Sequence, residues 1–256
     1  MAVGSEEANM STGEYIWDNA KVVGIALIIA LIIRSLLFQP FNIPSGSMMG
    51  TLLVGDYLFV SKFTYGYSQY SLPFGVVPFS GRIMGQEPER GDVVVFKLPS
   101  DNRTDYIKRV IGLPGDRIQM RQGILFINDV AVPRERVEDF AFEVRAGDIR
   151  YVPQYRETLP NGVEYMTLDS MPQGPLDTTA VYEVPTGHLF MMGDNRDNSS
   201  DSRVPMVADG VGYVPIENAV GRAEIKFFST DGSAAIWEFW RWPAATRWGR
   251  ILHGVE

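Results

Sequence analysis

From Val22 to Ile33 every residue is apolar or glycine, so a helix built there has no polar face to turn toward water. Such a segment needs either hydrocarbon around it or protein on all sides. After Arg34 the pattern resumes with Ser35-Leu36-Leu37-Phe38, giving a run close to the ~20 residues that cross a bilayer. Lys21 and Arg34 flank the core and can snorkel to the interfaces. Trp17 suits one interface, and Pro40 ends the helix. Two rival readings are a buried helix of a soluble domain and a cleavable export signal ending at Ser45-Gly46-Ser47. Glu6, Glu7, Glu14 and Asp18 ahead of the run, and Arg34 within it, argue against the export signal. The expected organisation is therefore a polar tail over residues 1–20 and an uncleaved anchor over 21–39. Lys21 and Arg34 sit at opposite ends, so the charge pattern does not orient the anchor.

Beyond the anchor the pattern turns to β-structure. Asp56 to Lys62 alternates, Gly91 to Lys97 reads as a turn feeding a buried strand, and Tyr106 to Gly112 reads as another. Ile124 to Val130 suggests a hairpin, and strands resume at His188–Met192 and Ala223–Phe228. The expected fold is mainly β. Residues 40–121 and 186–230 would form its β core, residues 122–185 an inserted β-rich lobe, and residues 231–256 a C-terminal tail. That tail mixes Trp237, Phe239, Trp240, Trp242 and Trp248 with Arg241, Arg247 and Arg250, a combination suited to a membrane interface. The competing reading packs those tryptophans on the core.

Composition removes several chemistries. The absence of cysteine excludes disulfides, thiol catalysis and cysteine-bound zinc. Only His188 and His253 are present, so neither a three-histidine zinc site nor His-Glu-x-x-His exists, and no metal or cofactor is expected. A net charge of −8 without a basic run argues against nucleic acid. His188 precedes Leu-Phe-Met-Met in a strand pattern and reads as structural, while His253 lies where chains usually fray.

A nucleophile candidate lies just after the anchor, in Phe41-Asn42-Ile43-Pro44-Ser45-Gly46-Ser47-Met48-Met49-Gly50-Thr51-Leu52. A serine hydroxyl needs an adjacent base, and with histidine nearly excluded a lysine must supply it. That lysine has to be neutral, which burial among apolar groups favours. Lys108 lies inside a buried strand pattern, and Lys226, in Ile225-Lys226-Phe227, matches it on pattern alone. Lys62 stands at a strand end next to a turn, and Lys97 precedes Leu-Pro-Ser and reads as exposed. Gly193-Asp194-Asn195-Arg196-Asp197-Asn198-Ser199-Ser200-Asp201-Ser202-Arg203 fails as a calcium loop, because position three is Arg196 and the required glycine and glutamate are missing. It fits a densely hydrogen-bonded loop able to fix neighbouring groups, or a solvated turn.

Taken together, Pro44 to Met49 through Tyr65-Gly66, Gly91 to Phe96, Tyr106 to Asp116 and Gly193 to Arg203 resemble the bacterial type I signal peptidases of the serine-lysine class. The resemblance implies a β-barrel-type core like that of signal peptidases and LexA proteins. It makes Ser47 the nucleophile and Lys108 the general base. The oxyanion hole would combine the Ser47 backbone N–H with the Ser45 hydroxyl. Ser199 would orient the lysine amine, Asp201 and Arg203 would support it, and Asp194 would pair with Arg109. Ile43, Pro44, Met48, Leu52, Tyr106 and Ile107 would line shallow pockets for small side chains, giving cleavage after Ala-x-Ala-like sites. The implied partners are preprotein signal peptides and the lipid bilayer, with the catalytic domain on the outer side of the cytoplasmic membrane. The oligomeric state has no signal in the sequence. Gly50 departs from the family's usual proline, and Val204 to Asp209 lengthens the segment after Arg203. Two other readings are a LexA-type self-cleaving protease, disfavoured by the membrane run, and a tethered, non-catalytic β-scaffold or chaperone for exported chains.

Overall fold

The structure is a computed structural model and describes residues 12–71, 81–145 and 148–255. The apolar run forms helix α1 (Thr12–Ile32), which widens into a π-helical turn over Ile33–Leu37. Tyr15–Leu37 has a mean hydropathy of 2.3, is long and apolar enough to cross a membrane, and is not buried against the rest of the protein. The soluble buried-helix reading therefore has no packing to support it.

The chain then runs through β1 (Phe38–Asn42), β2 (Asp56–Ser61), β3 (Val93–Lys97) and β4 (Asp105–Gly112). It continues through β5 (Arg117–Arg121), β6 (Ile124–Ile127), β7 (Val130–Ala131), β8 (Arg134–Arg136), β9 (Phe140–Arg145) and β10 (Asp148–Val152). After these come β11 (Gln154–Thr158), β12 (Glu164–Leu168), β13 (Tyr182–Glu183), β14 (His188–Met192) and β15 (Val214–Pro215). The last are β16 (Ala219–Ser229), a short helix α2 (Trp242–Ala245) and β17 (His253–Gly254). The main sheet has the antiparallel order β1-β2-β16-β3-β4-β14-β15, with β17 also on β16. The molecule is mainly β, as expected.

Strand β3 shows why its sequence is a continuous apolar run. Alternate residues point to opposite faces, and both faces are covered. Val93 and Val95 join a cluster with Ile43, Met48, Leu52, Leu58 and Val60, while Val94 and Phe96 join Val110, Leu189 and Met191. A third cluster joins Ile111, Phe190 and Met192 of the main sheet to Ile118, Met120, Leu125 and Tyr165, and so seats the smaller sheets on it. Those smaller sheets have orders β13-β5-β6-β7 and β12-β11-β8, with β9 and β10 as a separate pair.

Strand β16 begins earlier than its pattern suggested, at Ala219 instead of Ala223. Gly221 obscured the start, yet it is required there: a Cβ would fall 2.2 Å from Ser61 O. The C-terminal segment is tied down, not frayed. His253 and Gly254 pair with β16, and Arg250 Nη2 reaches Asp56 Oδ2 at 2.6 Å. Its aromatic side chains nonetheless face outward, with Trp237, Trp240 and Trp248 all more than 60 % exposed.

Candidate active site

The serine turn is the connection from β1 to β2, closed at its base by Ile43 N donating to Asp56 O and Gly55 N donating to Ile43 O, both at 2.9 Å. Ser45 is extended, and Gly46–Met48 then tightens into a 3-10 turn. The first N–H groups of such a turn have no partner within it. Ser47 Oγ lies 2.7 Å from Lys108 Nζ, and both residues are buried. The ammonium form donates to Oγ, whereas the neutral amine accepts the hydroxyl proton. Lys108 Nζ also donates to Ile107 O at 3.0 Å and lies 5.4 Å from the Tyr106 ring centre. Burial lowers the Lys108 pKa to about 8, against a smaller upward pull from the Asp201 and Asp194 carboxylates.

The other lysines separate by geometry and not by burial. Lys62 is also buried, its pKa likewise lowered by burial to about 8, but its Nζ donates to Ser71 O at 2.5 Å. Lys226 Nζ donates to Gly254 O at 2.7 Å on the β16–β17 side. Lys97 is half-buried, not exposed, and pairs with Asp105 at 2.8 Å. His188 Nδ1 and His253 Nδ1 lie 3.0 and 3.1 Å from the local carbonyls of Thr186 and Ile251.

The loop from Gly193 to Arg203 packs behind Ser47 and Lys108. Arg109 Nε and Nη2 donate to the two Asp194 oxygens at 2.9 and 2.8 Å, both residues being 1 % exposed. Thr51 Oγ1 donates to Asp194 Oδ2 at 2.6 Å, tying the far end of the serine turn to this pair. Asp201 accepts from Arg203 Nη2 at 2.8 Å and from Gly193 N at 3.0 Å. Burial raises the Asp201 pKa, but the Arg203 guanidinium and the Gly193 N–H hold it below the usual carboxylate range. Ser199 Oγ is buried beside Asp201, whose carboxyl it helps hold low, and it makes no hydrogen bond to Lys108. Gly193 allows this crowding, since a Cβ there would lie 2.3 Å from Ser199 Oγ and 2.6 Å from Ser47 O.

A groove of about 560 Å³ opens on Ser47 and Lys108. Of the expected pocket residues, Ile43, Pro44, Tyr106 and Ile107 line it together with Ser45, Ser47 and Lys108. Met48 and Leu52 do not line it; they are fully buried in the cluster beneath. Phe41, Val95, Asn198 and Ser200 also line it and were not singled out in the sequence. Asn195, likewise unassigned, donates from its side chain to Gly46 O and from its backbone to Ser47 O. Its place in the polar loop was visible in the sequence, but its partners 149 residues away were not.

Gly50 has a physical reason. Its φ is +108°, which proline cannot adopt, and a Cβ would lie 3.1 Å from Met166 O. Gly50→Pro should therefore lower stability by more than ~1 kcal/mol, read from the urea midpoint.

The chain matches the family model described as signal peptidase, peptidase S26, over residues 16–228. It is 42% identical over 230 residues to a signal peptidase I of Rickettsia typhi, covering 87% of this chain and 84% of that one. A signal peptidase I of Rickettsia conorii is 45% identical over 210 residues, covering 79% of this chain and 76% of its own. A family match over most of the sequence, joined to close relatives aligned along most of their length, makes this chain a member of the signal peptidase family, peptidase S26.

Proposed function

We propose that the protein is a membrane-bound endopeptidase that removes signal peptides from exported preproteins after small-x-small, Ala-x-Ala-like sites. The observation that carries this reading is the 2.7 Å approach of Lys108 Nζ to Ser47 Oγ on the wall of the groove. Relatives named signal peptidase I supply the substrate class.

Ser47 Oγ attacks the scissile carbonyl carbon while its proton passes to neutral Lys108 Nζ. The carbonyl oxygen becomes an oxyanion and accepts hydrogen bonds from the Ser47 N–H and the Ser45 hydroxyl. One such donor is typically worth ~3–4 kcal/mol in the transition state. Collapse breaks the C–N bond, and Lys108 returns the proton to the leaving amine. Water activated by the same amine then hydrolyses the acyl-enzyme, and Ser47 recovers its proton. Asp201, held by Arg203, and Asp194, held by Arg109, keep the base in place. Ile43, Pro44, Tyr106 and Ile107 shape a groove suited to small side chains.

The helix Tyr15–Leu37 is the anchor, with the catalytic domain on the outer side of the cytoplasmic membrane. The exposed Trp237, Trp240 and Trp248 suit a face that rests at the bilayer interface. The full chain in lipid vesicles, given a preprotein whose signal ends in Ala-x-Ala, should release the mature protein with a single new N-terminus after the second alanine. Binding without cleavage would refute the protease reading in favour of a scaffold, and cleavage of its own chain alone would favour a LexA-type enzyme.

A further inference from the structure

Ser47 N–H and Gly46 C=O belong to one planar trans peptide, so they lie in one plane, point in opposite directions and rotate together. Whatever holds Gly46 O therefore aims the Ser47 N–H. Gly46 O accepts from Asn195 Nδ2 at 3.0 Å and from Met49 N at 3.1 Å. The Met49 bond is part of the turn itself, whereas Asn195 reaches in from the distant loop. Asn195 also donates its backbone N–H to Ser47 O at 3.1 Å, so one residue grips the carbonyls on both sides of the nucleophile.

Gly46 has no side chain to resist rotation of that peptide, so a hold from outside the turn adds to the single bond from Met49 N. Asn195 is fit to provide it. It is 7 % exposed, and its neighbours are bound to β12: Leu168 N donates to Asp194 O at 2.8 Å and Arg196 N to Leu168 O at 2.9 Å. A bond accepted by a carbonyl also polarises its own peptide and makes the attached N–H a better donor.

We propose that Asn195 is a positioning residue that aims the Ser47 N–H at the developing oxyanion. This rests on the reading of Ser47 as nucleophile and oxyanion donor. Asn195 does not touch the substrate; it acts through the Gly46–Ser47 peptide. An aspartate in its place matches its size but sets carboxylate lone pairs against Gly46 O, and an alanine removes the amide while keeping the backbone bond to Ser47 O.

The test compares the full-length protein with Asn195→Asp and Asn195→Ala in detergent micelles, with kcat expressed per titrated active site. Two ligands of one sequence are compared: a peptide aldehyde, which forms a tetrahedral adduct with a serine, and a non-cleavable peptide, which does not. Both variants should lose about 10- to 100-fold in kcat, less than or comparable to outright loss of a donor. Aldehyde affinity should fall by a similar factor, while KM and affinity for the non-cleavable peptide stay within about 2-fold; the pH midpoint of the rate should hold in Asn195→Ala, whereas the new carboxylate of Asn195→Asp adds to the upward pull of Asp201 and Asp194 on Lys108. Asn195→Ala, the milder change, decides the matter if Asn195→Asp does not fold. Equal losses for the two ligands would mark a merely structural role and overturn the proposal, as would an unchanged kcat. Failure of the unsubstituted protein to form an aldehyde adduct would instead refute the Ser47 reading itself.

Discussion

Replacing Ser47 by alanine, or Lys108 by methionine, is expected to lower preprotein cleavage by at least about 10⁴-fold, because in the proposed mechanism each removes half of a unit whose members work only together. The two variants differ in stability. Ser47→Ala removes one hydroxyl and should leave thermal unfolding nearly unchanged. Lys108→Met should stabilise the protein at neutral pH, since it removes a buried amine whose charged form is disfavoured. The difference between 10.5 for an ordinary lysine and about 8 here corresponds to roughly 3 kcal/mol. Below pH 8 both folded and unfolded lysine carry the proton, and the folded state bears the full penalty. Between about pH 8 and 10.5 the unfolded lysine stays protonated while the folded one is neutral, so the parent protein gains stability as pH rises. The advantage of Lys108→Met should thus be largest below pH 8 and fade toward pH 10.5, as read by urea midpoints across that range. A methionine variant less stable than the parent at pH 7 would contradict this account.

Asp194→Asn should be the most destabilising single change at the site. It leaves the Arg109 guanidinium, 1 % exposed, without its carboxylate, a loss that costs about 3–5 kcal/mol for buried pairs. Thr51 Oγ1 and two Arg109 nitrogens now converge on that carboxylate, so the end of the serine turn should loosen with it. Arg109→Met combined with Asp194→Leu should recover much of the lost stability but not the activity. Asp194 also pulls the Lys108 pKa upward, so whatever activity survives in Asp194→Asn should have its rate midpoint moved to lower pH. A cost below about 1 kcal/mol would show that the pair is not the anchor of the loop.

Strands β2, β3, β4 and β14 of the main sheet were legible because their patterns follow directly from burial on one or both faces, as β3 illustrates, whereas β1, which starts inside the expected anchor at Phe38, and the two-residue β15 and β17 were not. Gly221 concealed the start of β16 because sequence alone does not reveal a close backbone neighbour. The C-terminal strap was missed for a similar reason: Arg250 and Asp56 are 194 residues apart, and only the folded sheet brings them together. At the site, burial could not choose among lysines, since Lys62 and Lys108 have equally depressed pKa values and differ in what their amines reach. Met48 and Leu52 were grouped with the groove residues by the family resemblance, whereas the turn points them into the core. Asn195 sat unassigned within a legible motif because its work is done on carbonyls far away in sequence.

The most direct test of the Ser47–Lys108 mechanism is the pH dependence of kcat/KM for a signal-peptide substrate. Because the amine must be neutral to accept the serine proton, the rate should rise about tenfold per pH unit below pH 8 and level off above it. A rate independent of pH from 6 to 10, or one rising through about pH 6.5 as a histidine base would give, would contradict it.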